Sequence, residues 1–231
     1  MWIYIYQNNS ELAMKNAYIG EYRVPWANTI AYYKFDWNLN DSSGNNRNLS
    51  LATGSVTYWT ESWWAKYGYF NTSTYTNNYT GMPYNSSAYT INIWYKRVGN
   101  NSGEHQTVAD FHTWWNYFPR LRVFSNEVWY IVSSSNVSTS NTDTWSNYCI
   151  SISNNTATCY RNWTQVWQFA VNSYNNTLPY FRLNTVWYVS TAAYGNYPAD
   201  GRMSTLIIEN KARTAQEVAD YYNLTKSNYW L

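Results

Sequence analysis

Charged residues make up only 12% of this 231-residue chain, against about 25% in an ordinary soluble domain. Fifteen Lys and Arg face thirteen Asp and Glu, a formal net charge of +2. That is too small for a long-range field, and no basic run forms a phosphate footprint, so nucleic acid is not expected as a partner. Two cysteines, Cys149 and Cys159, are too few for a disulfide scaffold or a cysteine-rich zinc site. No apolar run approaches the roughly 18 residues that span a bilayer, so membrane insertion is not expected. Met1 to Gln7 lacks the basic region and long apolar core of a signal peptide. His105 and His112 are the only histidines; they flank one expected strand and form no metal pair. Glycine is short too: a share of about 7% would give roughly 16, and there are 9.

Tyrosine (26), tryptophan (15) and abundant Asn, Ser and Thr fill the gap, so surface polarity falls to hydroxyls and amides. This is the profile of an extracellular or virion-surface β protein. Release of a virus particle by lysis is a route outward that needs no signal peptide.

Ile30 to Leu51 organises the chain. Alternating aromatics suit a half-buried strand, a loop of Asn, Asp, Ser and Gly44 follows, and a strand resumes from Arg47 to Leu51. Turn signals then recur roughly every 8 to 15 residues, a sandwich rhythm. The clearest strand, Tyr89 to Arg97, places Ile91, Ile93 and Tyr95 on one face and Asn92, Trp94 and Lys96 on the other. Further strands are expected at 67–71, 106–111, 120–124, 128–133, 146–153, 157–162, 180–183, 186–191 and 202–209. Thr214 and Glu217 form a capping box for one short C-terminal helix with a stripe of Ala215, Val218, Ala219 and Tyr222. Residues 1–27 read as an N-terminal arm, 28–226 as one domain, and 227–231 as a tail.

Phe35, Asp36, Asn40, Asp41, Ser43 and Gly44 follow the first strand in an order that resembles the opening of laminin G-like and concanavalin A-like lectin-glucanase domains. Tyr89 to Arg97 resembles the central strand of that family, Trp145 with Tyr148 to Ile152 a later one, and Gly201 to Tyr222, with Ile208, Asn210, Ala212 and Glu217, its closing strand and helix. The resemblance covers about Ile30 to Leu224. It implies an all-β fold, a two-sheet antiparallel jelly-roll β-sandwich with one short C-terminal helix, whose strand Ile30 to Phe35 pairs near Arg202 to Glu209.

Glycoside hydrolases occur in this class, and their chemistry needs two carboxylates across one cleft at roughly 5 to 10 Å. No two of the thirteen acids sit at alternate positions of one expected strand, so the chain reads as a non-enzyme. Many relatives hold calcium at the rim, and the Asp36 to Asp41 loop offers carboxylates and carbonyls to a hard cation. The closing strand, however, carries Ser204 and Thr205 where the family has acids, and an Asx-rich loop also reads simply as turns. No other cofactor is implied.

Exposed aromatics beside amides suit sugar stacking, and a rigid sandwich presents such residues on rim loops. The loop candidates are Tyr75, Tyr79, Tyr84, Tyr194 and Tyr197. Two functions stay open: recognition of a glycan or cell-surface ligand, as in adhesion, and a structural role in a phage virion or surface assembly, attached through the arm to other particle proteins.

Several tryptophans stand where the family has glycine. Trp37 follows Phe35-Asp36, Trp163 follows Asn162 at a hairpin where positive φ strains a tryptophan, and Trp63 and Trp64 lie in a segment that is glycine-rich in relatives. Some of these, with Trp59, Trp114, Trp115, Trp167 and Trp187 as further candidates, fit UGA codons that the source organism, a bacterium or its virus, reads as glycine. The alternative is a genuinely Trp-rich binding surface. Trp94 and Trp145 match family tryptophans.

Finally, Cys149 and Cys159 flank a hairpin closed near Asn154-Asn155. A two-residue loop sets them on opposite sheet faces and a three-residue loop sets them opposite each other. Asn-Asn favours the first, so two free thiols are expected.

Overall fold

The computed structural model describes residues 27–61, 65–71, 73–76, 87–99, 106–112, 117–124, 127–132, 135–140, 143–171, 180–184, 197–229 and 231. Its strands in chain order are β1 (Thr29–Tyr33), β2 (Leu51–Thr53), β3 (Thr57–Glu61), β4 (Ala65–Phe70), β5 (Tyr75–Thr76), β6 (Ala88–Arg97), β7 (Gln106–His112) and β8 (Tyr117–Phe124). They continue with β9 (Glu127–Val132), β10 (Ser135–Ser140), β11 (Ser146–Ser153), β12 (Thr156–Arg161), β13 (Thr164–Ala170), β14 (Tyr180–Leu183), β15 (Tyr197–Pro198) and β16 (Gly201–Glu209). Helix α1 (Ala215–Thr225) and a 3-10 turn at Lys226–Tyr229 close the chain.

Two sheets pack face to face, as expected. The larger runs β13-β12-β11-β6-β16-β4-β3, with β1 also on β16; the smaller runs β10-β9-β8-β7-β14, with β15 on β7. Among the described strands every pairing is antiparallel except the short one between β15 and β7. First and last strands meet as predicted, Tyr32 opposite Ile207 and Tyr33 opposite Leu206. The core between the sheets holds Ile91, Ile93 and Tyr95 from β6 and Met203, Leu206 and Ile208 from β16. Aromatic rings bridge it: Tyr33 stacks on Phe181 at 6.3 Å, Phe181 meets Phe111 at 4.6 Å, and Phe111 meets Tyr89 edge-on at 5.7 Å.

Alternation on β6 therefore falls as read, yet both of its faces are buried. The reason is α1 with its 3-10 extension, which covers the outer face. Trp94 stacks on Tyr229 at 3.9 Å and on Tyr222 at 5.7 Å, and its indole donates to Thr225 Oγ1. Tyr229, inside the segment read as a tail, is thus packed against the sheet. The capping box forms: Glu217 N donates to Thr214 Oγ1, and Thr214 N to Glu217 Oε2. The buried stripe is Val218, Tyr221 and Tyr222. Ala215 is exposed, so the helix is rolled toward its larger side chains, which bury more apolar area.

Four of the described strands, β3, β5, β10 and β15, were not anticipated. β3 and β10 are outermost strands of their sheets, on β3 exposure blurs the period-two pattern, and β5 and β15 are two residues each, within segments expected as loops. The strand expected from Arg47 begins only at Leu51, because Arg47 N donates to Asp41 Oδ2 and Leu49 N to Leu39 O, which holds this stretch in the loop. The strand expected at 186–191 lies outside the described residues, as do residues 1–26 of the arm.

The hairpin after β11 has the two-residue loop. Asn154 and Asn155 both have positive φ (46° and 60°), and Cys149 opposes Tyr160 while Ile150 opposes Cys159. Cys149 packs under α1 with Val218, and Cys159 faces the inter-sheet core. Both are free. Burial pushes the Cys149 thiol up to about 12 and Cys159 higher still, which suppresses the reactive thiolate. In a thiol-exchange assay the native protein is expected to show no reactive cysteine, and the denatured, unreduced monomer two; finding none after denaturation would refute this register.

Candidate functional site

The two candidate loops are tied to one end of the small sheet. Thr76, beside Tyr75 in β5, accepts a hydrogen bond from Leu183 N at the end of β14. Asn184, at φ 48°, donates its side-chain amide to Thr74 O and Asn71 O and its backbone N–H to Val108 O in β7. Tyr197, on the second loop, pairs with Gln106 at the start of the same β7. The chain segments bearing Tyr75 and Tyr197 thus converge on one rim. Tyr79, Tyr84 and Tyr194 lie outside the described residues, as does His105.

The Asp36 to Asp41 loop is built around one carboxylate. Asp41 Oδ1 accepts from Tyr32 N (2.9 Å) and Ser43 N (2.8 Å), and Oδ2 from Ser43 Oγ (2.8 Å) and Arg47 N (3.0 Å). Four donors match the roughly four lone-pair positions of a carboxylate. In this conformation Asp41 ties strand β1 to its following loop, and a cation would have to displace N–H groups to reach it. Asp36 is half-buried nearby in sequence, and no group of three or more metal-ligating side chains occurs among the described residues.

A feature the sequence did not reveal lies on the outer face of the large sheet. Trp59, Tyr67, Tyr69, Val98 and Arg202 line an open cleft of about 370 Å³. Register explains it: Trp59 opposes Tyr67, and Tyr69 opposes Arg202, so β3, β4 and β16 send these side chains to one side. The Arg202 guanidinium lies 5.0 Å from the Tyr67 ring centre. Glu61 anchors the cleft wall by accepting from Lys96 Nζ (2.8 Å), Trp145 Nε1 (2.7 Å) and Arg202 (3.2 Å). Burial pushes the Glu61 carboxyl up, but the hydrogen bonds from Lys96 and Trp145 and the charges of Lys96 and Arg202 outweigh it, and the group is held below the ordinary carboxylate range. The alternation of Tyr67 and Tyr69 was a legible signal; β3 was not.

The tryptophans divide by exposure. Trp37, Trp59, Trp163 and Trp167, all read as glycine positions, are 55–60% exposed, whereas Trp94 and Trp145 are 0% and 5% exposed. The strain expected at Trp163 does not arise, because the hairpin places positive φ (56°) on Asn162 and none on Trp163. Trp63, Trp64, Trp114, Trp115 and Trp187 lie outside the described residues.

No protein-family profile matches the chain, and no curated protein matches it by sequence. Solved structures do. Domain 4 of AbnA, a GH43 extracellular arabinanase from Geobacillus stearothermophilus, determined with arabinotriose, is similar with a TM-score of 0.65 at 19% identity over 84% of this chain and 97% of that one. The binding domain of Paraclostridial Mosquitocidal Protein 1 gives 0.65 at 12% identity over 85% and 52%. The binding domain of botulinum neurotoxin serotype G gives 0.64 at 13% over 87% and 52%. The chain therefore spans about half of each toxin binding domain. These likenesses establish the fold, a β-sandwich.

The Asp41 geometry yields a direct test. Asp41→Ala is expected to lower the unfolding free energy by about 2–3 kcal/mol, the cost of stranding charge-assisted partners, equally with and without calcium. Added calcium is expected to leave the wild-type thermal midpoint in place; a calcium-dependent rise that Asp41→Ala abolishes would assign the loop as a metal site.

Proposed function

We propose that this chain is a non-catalytic recognition module that binds carbohydrate through loops at the rim of the sandwich. The observation that carries the reading is the convergence of the Tyr75 and Tyr197 segments on the start of β7, because a rigid edge gives loop aromatics the fixed spacing that stacking on sugar rings requires. The likeness to an arabinanase domain solved with arabinotriose supports it. Carboxylate use supports the absence of catalysis: Glu61, Asp110, Asp143 and Glu209 each pair with a basic residue, and Glu217 pairs with Lys211 and caps α1, whereas a hydrolase needs an acid and a base facing one substrate. On a glycan array the intact protein is expected to bind a restricted set of saccharides, and Tyr75→Ala or Tyr197→Ala to weaken that binding about tenfold, as for a central aromatic anchor, without a change in melting temperature. Binding of no glycan would refute the reading.

A finer reading concerns tryptophan. We infer that Trp37 and Trp163 are encoded by UGA and inserted as glycine in the source organism, a reading favoured by their exposure against the burial of Trp94 and Trp145. Large aromatics more than half exposed at a loop and a hairpin tip stabilise little. Peptide masses of the protein purified from its source are expected to show glycine at 37 and 163 and tryptophan at 94 and 145. UGG codons at 37 and 163 would end the idea. The codon at 59 also decides whether the outer cleft keeps its indole wall.

A further inference from the structure

The open cleft on the outer face of the large sheet has no part in the rim reading. It is reachable from solvent: Trp59 and Val98 line it at 56% and 44% exposure, over a Tyr67 that is 6% exposed. Tyr69 and Arg202 stand with them, half-buried. Its volume of about 370 Å³ falls at the low end of small-ligand sites, which occupy roughly 300–1,000 Å³.

The lining is aromatic but not purely apolar. Trp59, Tyr67 and Tyr69 supply rings, and the Arg202 guanidinium is held among them from two sides. Its centre lies 5.0 Å from the Tyr67 ring centre, and its Nη1 donates to Glu61 Oε2 at 3.2 Å. A guanidinium fixed in this way is a donor fork in place before a ligand arrives, which lowers the ordering cost of binding. Charges at the border of the cleft cancel. Across the ladder Arg202 is flanked by Lys96 and Tyr69; Lys96 and Arg202 share Glu61, and the Tyr69 hydroxyl is hydrogen-bonded to Asp200. Two cations therefore meet two carboxylates among the described residues here, and no net field draws in an ion.

A ligand matched to this setting is neutral, has C–H faces to lie on aromatic rings, and has hydroxyls to accept from a fixed guanidinium. A purely apolar ligand would strip water from the guanidinium and return no hydrogen bond. A sugar unit meets all three conditions. We propose that the cleft is a second carbohydrate site, which takes a neutral oligosaccharide with a sugar ring on Trp59 and Tyr69 and hydroxyls on Arg202. The proposal rests on the carbohydrate reading above and adds a site on the sheet face, away from the rim. It requires tryptophan at position 59 in the source protein.

The experiment presents neutral and acidic oligosaccharides on one array to the intact protein and to two variants. Tyr75→Ala/Tyr197→Ala removes the rim aromatics; Trp59→Thr removes the cleft indole and keeps a strand-forming residue. The rim variant is expected to go on binding neutral glycans with an affinity that salt leaves unchanged, and Trp59→Thr added to it to lower that affinity about tenfold or more. Arg202→Lys keeps the charge but loses the fork, and is expected to weaken the same binding. Melting curves check each fold. In a titration with the best neutral binder, the indole N–H resonance missing from the Trp59→Thr spectrum is expected to shift; Trp59→Tyr assigns that resonance if the Thr variant fails to fold. Loss of all binding in the folded rim variant, an unmoved Trp59 resonance at saturation, or a preference for acidic glycans that fades with salt would overturn the cleft site and leave the carbohydrate reading standing. A dimer that Trp59→Thr dissolves would give the cleft to a second copy and overturn the proposal, as would glycine at 59 in peptide masses of the source protein. Binding of no glycan would overturn both readings.

Discussion

Pairing between β16 and β6 is the constraint on which the sandwich depends. Strand β16 meets β6 along one edge and β4 and then β1 along the other, so among the described strands it alone joins the two halves of the large sheet. Its partners come from distant parts of the chain, and their loop-closure entropy is offset only when the pairing buries apolar surface on both faces. Inside, Met203, Leu206 and Ile208 fill the core; outside, Ile207 joins the cluster with Trp94, Tyr221 and Tyr222. Gly201 starts the strand with no side chain because an added Cβ would lie 2.3 Å from the Tyr95 ring. The glycine that the resemblance singled out is therefore a packing requirement.

Scarcity of charge shapes what is left for recognition. Arg120–Asp110 and Arg213–Glu209 are almost fully buried pairs. Such pairs add little net stability over an apolar core, and losing one partner strands the other charge. Thr90 and Ser151, by contrast, bond the backbone of the segment before α1, at Lys211 and Arg213, and Tyr229 reaches Ser204. Hydroxyls and amides do the work that ion pairs do in more charged domains.

Legibility in the sequence followed burial. Strand β6 could be read to its face because one side of it meets a continuous core, and the capping box could be read because its two side chains satisfy each other locally. The cysteine register was legible for a similar reason: Asn154 and Asn155 accept positive φ, which fixes a two-residue loop and with it every side-chain direction in the hairpin. Edge strand β3 was illegible because exposure along it removes the alternation. The outer cleft was also illegible, since it is made by registers among strands that sequence alone does not order. Of the five tyrosines read as ligand contacts, chain segments for two can be followed, and they share a rim.

Both outermost strands of the large sheet, β3 and β13, carry exposed tryptophan. An exposed edge with large apolar side chains is a template for unwanted pairing unless something covers or removes them. A ligand covers and a glycine removes, and the surroundings distinguish the two. Trp59 stands in a cleft with Tyr67, Tyr69 and Arg202 around it, so its indole is part of a wall built by three strands. Trp163 stands at a hairpin tip where its neighbour Asn162 already supplies the positive φ, so the turn gains nothing from an indole and would lose nothing to a glycine.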